Sequence, residues 1–146
     1  MNIVFKEIKK AFADEISKKQ IKTKHKKHGN LQGLILLPEL EEKKKTIEVT
    51  FYLMEMEKAM DVKVRYIDRV DKNNEIINEY AFSDLQKGKE LPMIDSDLQD
   101  LIIESLQYTV EEGKIISAVS LETQMENLVK IIKSSWNMIL NYQKEL

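Results

Sequence analysis

The sequence contains no cysteine, and this excludes disulfide bonds and metal sites built from thiolate ligands. A chain without disulfides suits a reducing compartment, so we expect a cytoplasmic protein. No stretch approaches the roughly eighteen apolar residues of a membrane-spanning helix. The amino-terminal MNIVFKEIKK also lacks the uninterrupted apolar core of a secretory signal. The sequence therefore predicts a protein that does not enter a membrane.

Catalytic side chains are also scarce. The four glycines form no phosphate-binding loop, and no G-x-S-x-G motif presents a serine nucleophile. Asp97 and Asp100 leave an acid-dependent hydrolase as a remote alternative, although both residues also suit the first turn of a helix. We therefore expect a protein that is not an enzyme and that holds no cofactor.

The only histidines, His25 and His28, have a spacing that would place both imidazoles on one face of a helix. A lasting zinc site needs three or four protein ligands, and no cysteine or nearby acidic residue supplies the others. The lysines around the two histidines would also repel a divalent cation. The sequence thus predicts no metal site in this segment.

The charges that are present are unevenly distributed. Residues 1–45 contain twelve lysines against six acidic residues, a net charge of +6. Residues 46–146 contain eleven basic against nineteen acidic residues, a net charge of −8. This division predicts one basic and one acidic surface, which could orient a charged partner. The abundance of Lys, Ile, Asn and Glu is typical of an AT-rich bacterial or phage genome.

With 146 residues and a hydrophobic fraction of 42%, the chain is long enough to enclose one core, and we expect a single α+β domain over residues 1–146. Apolar residues at every fourth position predict an amphipathic helix in the first eighteen residues. Its last turns are expected to run into the lysine-rich segment 18–28, with Gly29 and Asn30 as the stop signal.

Four runs with strand character follow this helix. They are apolar throughout or alternate between apolar and polar residues, and they lie within residues 31–40, 46–54, 62–67 and 75–82. The connections between them are too short for parallel crossovers. The sequence therefore predicts a four-stranded antiparallel meander.

Two helices packed on this sheet are predicted in the rest of the chain, over residues 96–112 and from about Ser120 onwards. The segment 114–120 suits either a short fifth strand or an apolar linker. The last helix carries apolar residues seven positions apart, namely Met125, Ile132, Ile139 and Leu146. Such a seam could pack against another helix or a second chain, so a homodimer through the 121–146 helix is a further expectation.

Two surfaces are candidates for binding. The solvent side of the meander mixes aromatic, Met, Arg and aliphatic groups of the kind enriched in protein interfaces. Its candidate residues are Tyr52, Met54, Arg65 and Ile67. Alternation alone leaves open whether the N-terminal helix covers this side. The leading hypothesis is a non-enzymatic protein-binding module, such as a small inhibitor, an immunity or anti-defence protein, or a dedicated chaperone.

The lysine-rich segment supports an alternative function, nucleic-acid binding through contacts with phosphates. Its candidate residues are Lys18, Lys19, Lys22, Lys24, Lys26 and Lys27. The segment has no arginine to read base edges and no aromatic residue for stacking, so any such binding would be independent of base sequence. A solvated, purely structural role for these lysines competes with this hypothesis.

Overall fold

The fold is an antiparallel meander with helices packed on one face, in a computed structural model that describes residues 2–112 and 114–143. The five strands of the main sheet follow one another in chain order: β1 (Ile21–His28), β2 (Leu31–Pro38), β3 (Lys45–Met54), β4 (Ala59–Arg69) and β5 (Glu75–Ala81). The predicted α+β class and antiparallel sheet are confirmed. The sheet has five strands, however, and not the predicted four.

Helices precede and follow the sheet. The α-helices are α1 (Ile3–Ala11), α2 (Ala13–Ser17), α3 (Ser96–Leu106) and α4 (Leu121–Tyr142). A 3₁₀ helix, Phe82–Lys87, follows β5 directly. Two short strands, β6 (Tyr108–Glu111) and β7 (Lys114–Ser117), form a separate antiparallel hairpin between α3 and α4.

The lysine-rich segment is the additional strand, and its assignment to the end of the N-terminal helix was wrong. The helix breaks at Phe12, resumes and ends at Ser17. Lys19 then adopts a positive φ of 60°, and the amide of Gln20 donates to the carbonyl of Glu15 at 2.8 Å, as in a Schellman motif. The chain leaves this motif as β1, so the helix ends about ten residues before the predicted stop.

Gly29 and Asn30 form a two-residue hairpin turn between β1 and β2, and they do not end a helix. The two strands pair from Ile21 with Pro38 to His28 with Leu31. Gly29 has a φ of 62° and takes the first central position, where type II′ hairpins place glycine. Asn30 also ties this turn to the β3–β4 turn, because its side-chain oxygen accepts from the amide of Met56 at 2.9 Å.

The C-terminal part also differs in detail from the predicted arrangement. The helix predicted over residues 96–112 ends at Leu106, because Gln107 adopts a left-handed conformation with a φ of 32°. The strand considered within residues 114–120 exists as β7. It pairs with β6 and does not join the main sheet.

One face of the sheet, the inner face, forms the core together with the helices. Its side chains Leu34, Phe51 and Val64 are fully buried in one hydrophobic cluster that includes α1, α3 and α4. The rings of Phe12 and Phe51 lie 6.5 Å apart, which shows direct contact between the N-terminal helical segment and β3. Trp136 of α4 is partly buried, and the centre of its ring lies 5.9 Å from that of Phe12.

The apolar seam of α4 is largely used within the chain. Ile132 and Ile139 are fully buried, and Met125 packs against the same core, while Leu146 lies outside the described residues. The apolar side of α4 contacts the sheet and also α1 and α3. The homodimer through residues 121–146 therefore stays a prediction. The seven-residue spacing that suggested it is explained by packing within the chain.

Candidate functional site

The outer face of the sheet is opposite to the core face, and none of the four described α-helices packs across it. The 3₁₀ helix reaches it at Asp61, through Ser83. Leu31, Ile35 and Leu37 lie on this outer face and are only partly buried. None of them belongs to the core cluster or packs against it. The N-terminal helix packs on the inner face through Val4 and Ile8, which answers the question that alternation left open.

All four residues predicted for partner binding lie on this outer face, but they form two separate groups. Tyr52 pairs with Asp61, whereas Ile67 pairs with Thr46, six residues along β3 and so roughly 20 Å away. Tyr52 and Ile67 are each only 8% exposed, while Met54 and Arg65 are partly exposed. Tyr52 and Ile67 therefore offer little direct contact area.

Arg65 is held in place by acidic neighbours. Its guanidinium lies 3.1 Å from a carboxylate oxygen of Glu48 and 3.8 Å from one of Glu79. Arg69, in the same strand, is 3.5 Å from Glu75 and donates to the Thr46 hydroxyl. The β4–β5 side of the outer face is thus close to electrically neutral.

The lysine-rich segment makes the β1 side of the outer face basic. Because side chains alternate along a strand, Lys22, Lys24 and Lys26 project to the outer face, and Lys27 projects to the other side. Lys18 and Lys19 precede the strand. Among the residues that the structure describes, no carboxylate forms an ion pair with the three outer-face lysines.

The two candidate sites of the sequence meet at a shallow depression, which we call the lysine–tyrosine groove. A row across four strands, Lys26–Gly33–Tyr52–Asp61, runs through it. The groove has a volume of about 580 Å³ and is also lined by Leu31, Met54 and Lys63. It is large enough to accept part of a ligand and lies on the open face.

Two ammonium groups flank the aromatic ring in this groove. The Nζ atom of Lys26 is 4.8 Å from the centre of the Tyr52 ring, and that of Lys63 is 5.5 Å from it. Both distances suit cation–π attraction, worth about 0.5–1 kcal/mol at an exposed site. No described carboxylate forms an ion pair with either lysine.

Gly33 is the reason that Lys26 can reach the ring from the edge strand. The Lys26 side chain crosses the backbone of Gly33, and a Cβ atom on that glycine would lie 3.1 Å from Lys26 Cγ and 3.2 Å from Lys26 Cε. Any side chain at position 33 would therefore require Lys26 to shift by a few tenths of an ångström. A glycine inside an apolar strand signals such a close approach, and this signal could have located the groove from the sequence.

Asp61 is the acidic residue of the groove, and its carboxylate accepts hydrogen bonds from other groups of the chain. Its carboxylate accepts from the Ser83 hydroxyl at 2.6 Å and from the Ser83 amide at 3.0 Å. Burial raises the pKa of Asp61, although the hydrogen bonds from Ser83 and Val62 and the charge of Lys63 oppose that change. Its hydrogen-bond donors are Ser83 and Val62, and it forms no ion pair with Lys26, although its negative charge remains within the groove.

The other residues considered for chemistry are dispersed. His25 and His28 project to opposite faces because their segment is a strand, so the shared face expected for a helix does not exist. Asp97 and Asp100 are both exposed on α3. Within residues 2–112 and 114–143, no three His, Asp or Glu side chains are grouped closely enough to hold a metal ion.

Comparison with known proteins adds no assignment. No family model matches the sequence, and no significant match is found among curated proteins or solved structures. None of the described helices is long and apolar enough to cross a bilayer.

Proposed function

We propose that this chain is a non-enzymatic protein-binding module whose partner covers the outer face of the main sheet. The observation that carries the proposal is that Leu31, Ile35 and Leu37 lie partly buried on a face without a covering helix. Apolar side chains of this kind gain free energy when another macromolecule removes them from water. An inhibitor, an immunity or anti-defence protein, or a dedicated chaperone would need such a surface.

The charge distribution indicates which part of the face would take the partner. Arg65 and Arg69, on the β4–β5 side, are already paired with glutamates. The lysines of β1 have no such pairs within the described residues and are available to steer an acidic partner. We therefore place the centre of the interface over β1, β2 and β3, with Met54 and Tyr52 nearer to it than Arg65 and Ile67.

A substitution on this face tests the proposal. Ile35→Glu introduces a charge among the apolar outer-face residues, and Ile103→Glu places the same change on α3, where Ile103 is 41% exposed. Both variants should keep the circular dichroism and melting behaviour of the wild type. Affinity capture from the source cells, followed by mass spectrometry, should give a stoichiometric partner protein with the wild type and with Ile103→Glu.

Ile35→Glu should lose that partner, because it replaces an apolar contact with a carboxylate beside Lys24 that loses water on association. Equal capture by the wild type, Ile35→Glu and Ile103→Glu would show that the outer face is not the interface. A separate double variant, Arg65→Ala with Ile67→Ala, extends the test to the far end of the face. We expect this double variant to have the smaller effect.

Nucleic-acid binding is the second candidate function, favoured by the regular projection of the β1 lysines. Lys22, Lys24 and Lys26 form a row with a spacing of roughly 6.7 Å along the open edge of the sheet. This function predicts binding that weakens steeply with added salt and disappears when the lysines are replaced by Gln. The low exposure of Tyr52 gives bases little to stack on, so protein binding is the stronger proposal.

A further inference from the structure

We infer that the lysine–tyrosine groove binds carboxylate side chains of an extended acidic segment in the partner protein. This inference rests on the proposed function and adds the chemistry of the partner to it. Three features support it, namely lysines without ion-pair partners among the described residues, a lysine that crosses a glycine to reach the groove, and a row of lysines whose spacing matches an extended segment.

The first feature is the charge of the groove. Lys26 and Lys63 both line it, and neither forms an ion pair with a described carboxylate, although the charge of Lys63 acts on the nearby Asp61. A carboxylate placed there would accept charge-assisted hydrogen bonds from ammonium groups already gathered in one depression. The attraction between the two lysines and the Tyr52 ring reduces the freedom that they would lose on binding.

The second feature is the fixed path of Lys26. Its aliphatic chain lies over Gly33, where an added Cβ would also come within 3.3 Å of Thr50 Cγ2. Because residue 33 has no side chain, Lys26 follows this path without close contacts to a Cβ atom. Glycine at this position therefore has a specific consequence, which is to bring a lysine of the edge strand into the centre of the face.

The third feature identifies the ligand as an extended peptide. Lys22, Lys24 and Lys26 form a row on the outer face along the edge strand β1. An extended segment that lies on the outer face along this row would present alternate side chains with the same roughly 6.7 Å spacing. Acidic residues at alternate positions of that segment would each meet one lysine.

Apolar residues in the groove favour a protein segment over a nucleic acid. Leu31 and Met54 form the end of the groove next to the β1–β2 and β3–β4 turns. They suit an aliphatic side chain that accompanies the acidic ones. A phosphate backbone would leave this end of the groove uncovered, and the Tyr52 ring is too enclosed to stack with a base.

The inference can be tested by NMR titration of the full isotope-labelled chain with three probes. These are a short peptide alternating glutamate with valine, an oligothymidine and inorganic phosphate. We expect the peptide to give saturable shifts in the amides of Gly33, Tyr52 and Lys63. A peptide alternating glutamine with valine should give none at the same concentration.

Paired variants separate the groove from general charge effects. Lys26→Gln with Lys63→Gln should weaken peptide binding about tenfold or more, since each lysine contributes a charge-assisted contact. Lys6→Gln with Lys130→Gln removes the same charge from exposed positions on α1 and α4, and it should change the affinity by less than about twofold. Asp61→Asn should strengthen binding, because it removes the negative charge of the groove while one side-chain oxygen still accepts hydrogen bonds.

A variant without any charge change provides an independent check. Gly33→Ala should weaken peptide binding because the new Cβ displaces Lys26, while a circular dichroism spectrum verifies the fold. If Gly33→Ala does not fold, the double variant Lys26→Gln with Lys63→Gln still tests the inference.

Several results would overturn the inference. These are unchanged peptide binding by the Lys26 and Lys63 double variant, an absence of saturable groove shifts, and equally tight binding of phosphate. Tighter binding of oligothymidine through the same lysines would assign the surface to nucleic acids. Loss of the captured partner in Ile35→Glu without any peptide binding would leave the proposed function in place and reject only this inference.

Discussion

At the scale of single residues, Ser135 is an unsatisfied polar group within the core. It is fully buried on α4 among the isoleucines of the hydrophobic cluster, and its Oγ has no hydrogen-bond partner among the described residues. Ser105, equally buried on α3, instead donates to the carbonyl of Leu101 at 2.7 Å. The two serines therefore have similar surroundings but different hydrogen bonding.

This difference predicts that replacing each serine with alanine changes the free energy of unfolding differently. Ser135→Ala should raise the free energy of unfolding by about 1 kcal/mol, because it removes the cost of a buried hydroxyl without a partner and improves helix propensity. Ser105→Ala gains the same propensity but loses a hydrogen bond, so it should change stability less or lower it. Urea denaturation of both variants measures the difference. An equal effect of the two substitutions would contradict it.

For single residues of the sheet, the sequence predicted the face to which each side chain projects but not how far the side chain is buried. Alternation correctly placed Tyr52, Met54, Arg65 and Ile67 on one face of the meander. It could not show that Tyr52 and Ile67 are only 8% exposed, because that depends on neighbours from other strands, such as Lys26. Lateral contacts between strands are set by register, which a single strand does not encode.

At the scale of secondary-structure elements, the end of α2 shows how a helix can stop without glycine. Lys19 occupies the left-handed C′ position with a φ of 60°, and its amide donates to the carbonyl of Ile16 at 3.1 Å. A side chain in this conformation costs roughly 1–2 kcal/mol relative to glycine. Lys18, the preceding residue, has a φ of −82° and carries no such cost.

Adjacent lysines should therefore respond in opposite ways to the same substitution. Lys19→Gly is expected to raise the free energy of unfolding by roughly 0.5–1 kcal/mol, the strain relieved less the greater entropy of glycine in the unfolded chain. Lys18→Gly removes the same charge but should lower stability by a similar amount. Thermal melts of the two variants provide the measurement. A loss of stability in Lys19→Gly would show that the left-handed conformation is not strained.

The strand that follows α2, β1, was not predicted from the sequence. Of the residues in β1, only Ile21 is buried, so the strand has almost no apolar periodicity to recognise. It is held by its pairing with the apolar β2, which is a tertiary effect. The dipeptide Gly29–Asn30 between the two segments was a readable hairpin signal, but the absence of a glycine at Lys19 hid the earlier end of the helix.

At the scale of the whole molecule, the helices and the sheet form two layers, and this arrangement creates the candidate site. The buried apolar residues of α1, α3 and α4 belong to one cluster with the inner face, and Leu31, Ile35 and Leu37 of the outer face do not. Periodicity predicts that each element has an apolar side but not which elements share a layer. The charge division of the sequence was informative, because the basic segment forms one edge of the open face.

Three tyrosines join the two layers where α4 ends. Tyr66 of β4 donates its hydroxyl to the carbonyl of Ile139 at 2.7 Å. The hydroxyls of Tyr80 and Tyr142 lie 3.3 Å apart, and the rings of all three residues meet edge to face. Burial raises the pKa of Tyr66, and burial together with the hydrogen bond to Tyr142 raises the pKa of Tyr80 to about 12.

These pKa values predict a loss of stability at alkaline pH. In the unfolded chain both hydroxyls should titrate near pH 10, so above that pH the folded state binds more protons than the unfolded state. Stability is therefore complete below about pH 10 and decreases as the pH rises towards 12. Urea midpoints at about pH 9 and about pH 12 should differ less in Tyr80→Phe and Tyr66→Phe than in the wild type. All other ionisable groups are the same in every variant, so their effect cancels in this comparison. Identical pH dependences would show that the tyrosine cluster does not control alkaline unfolding.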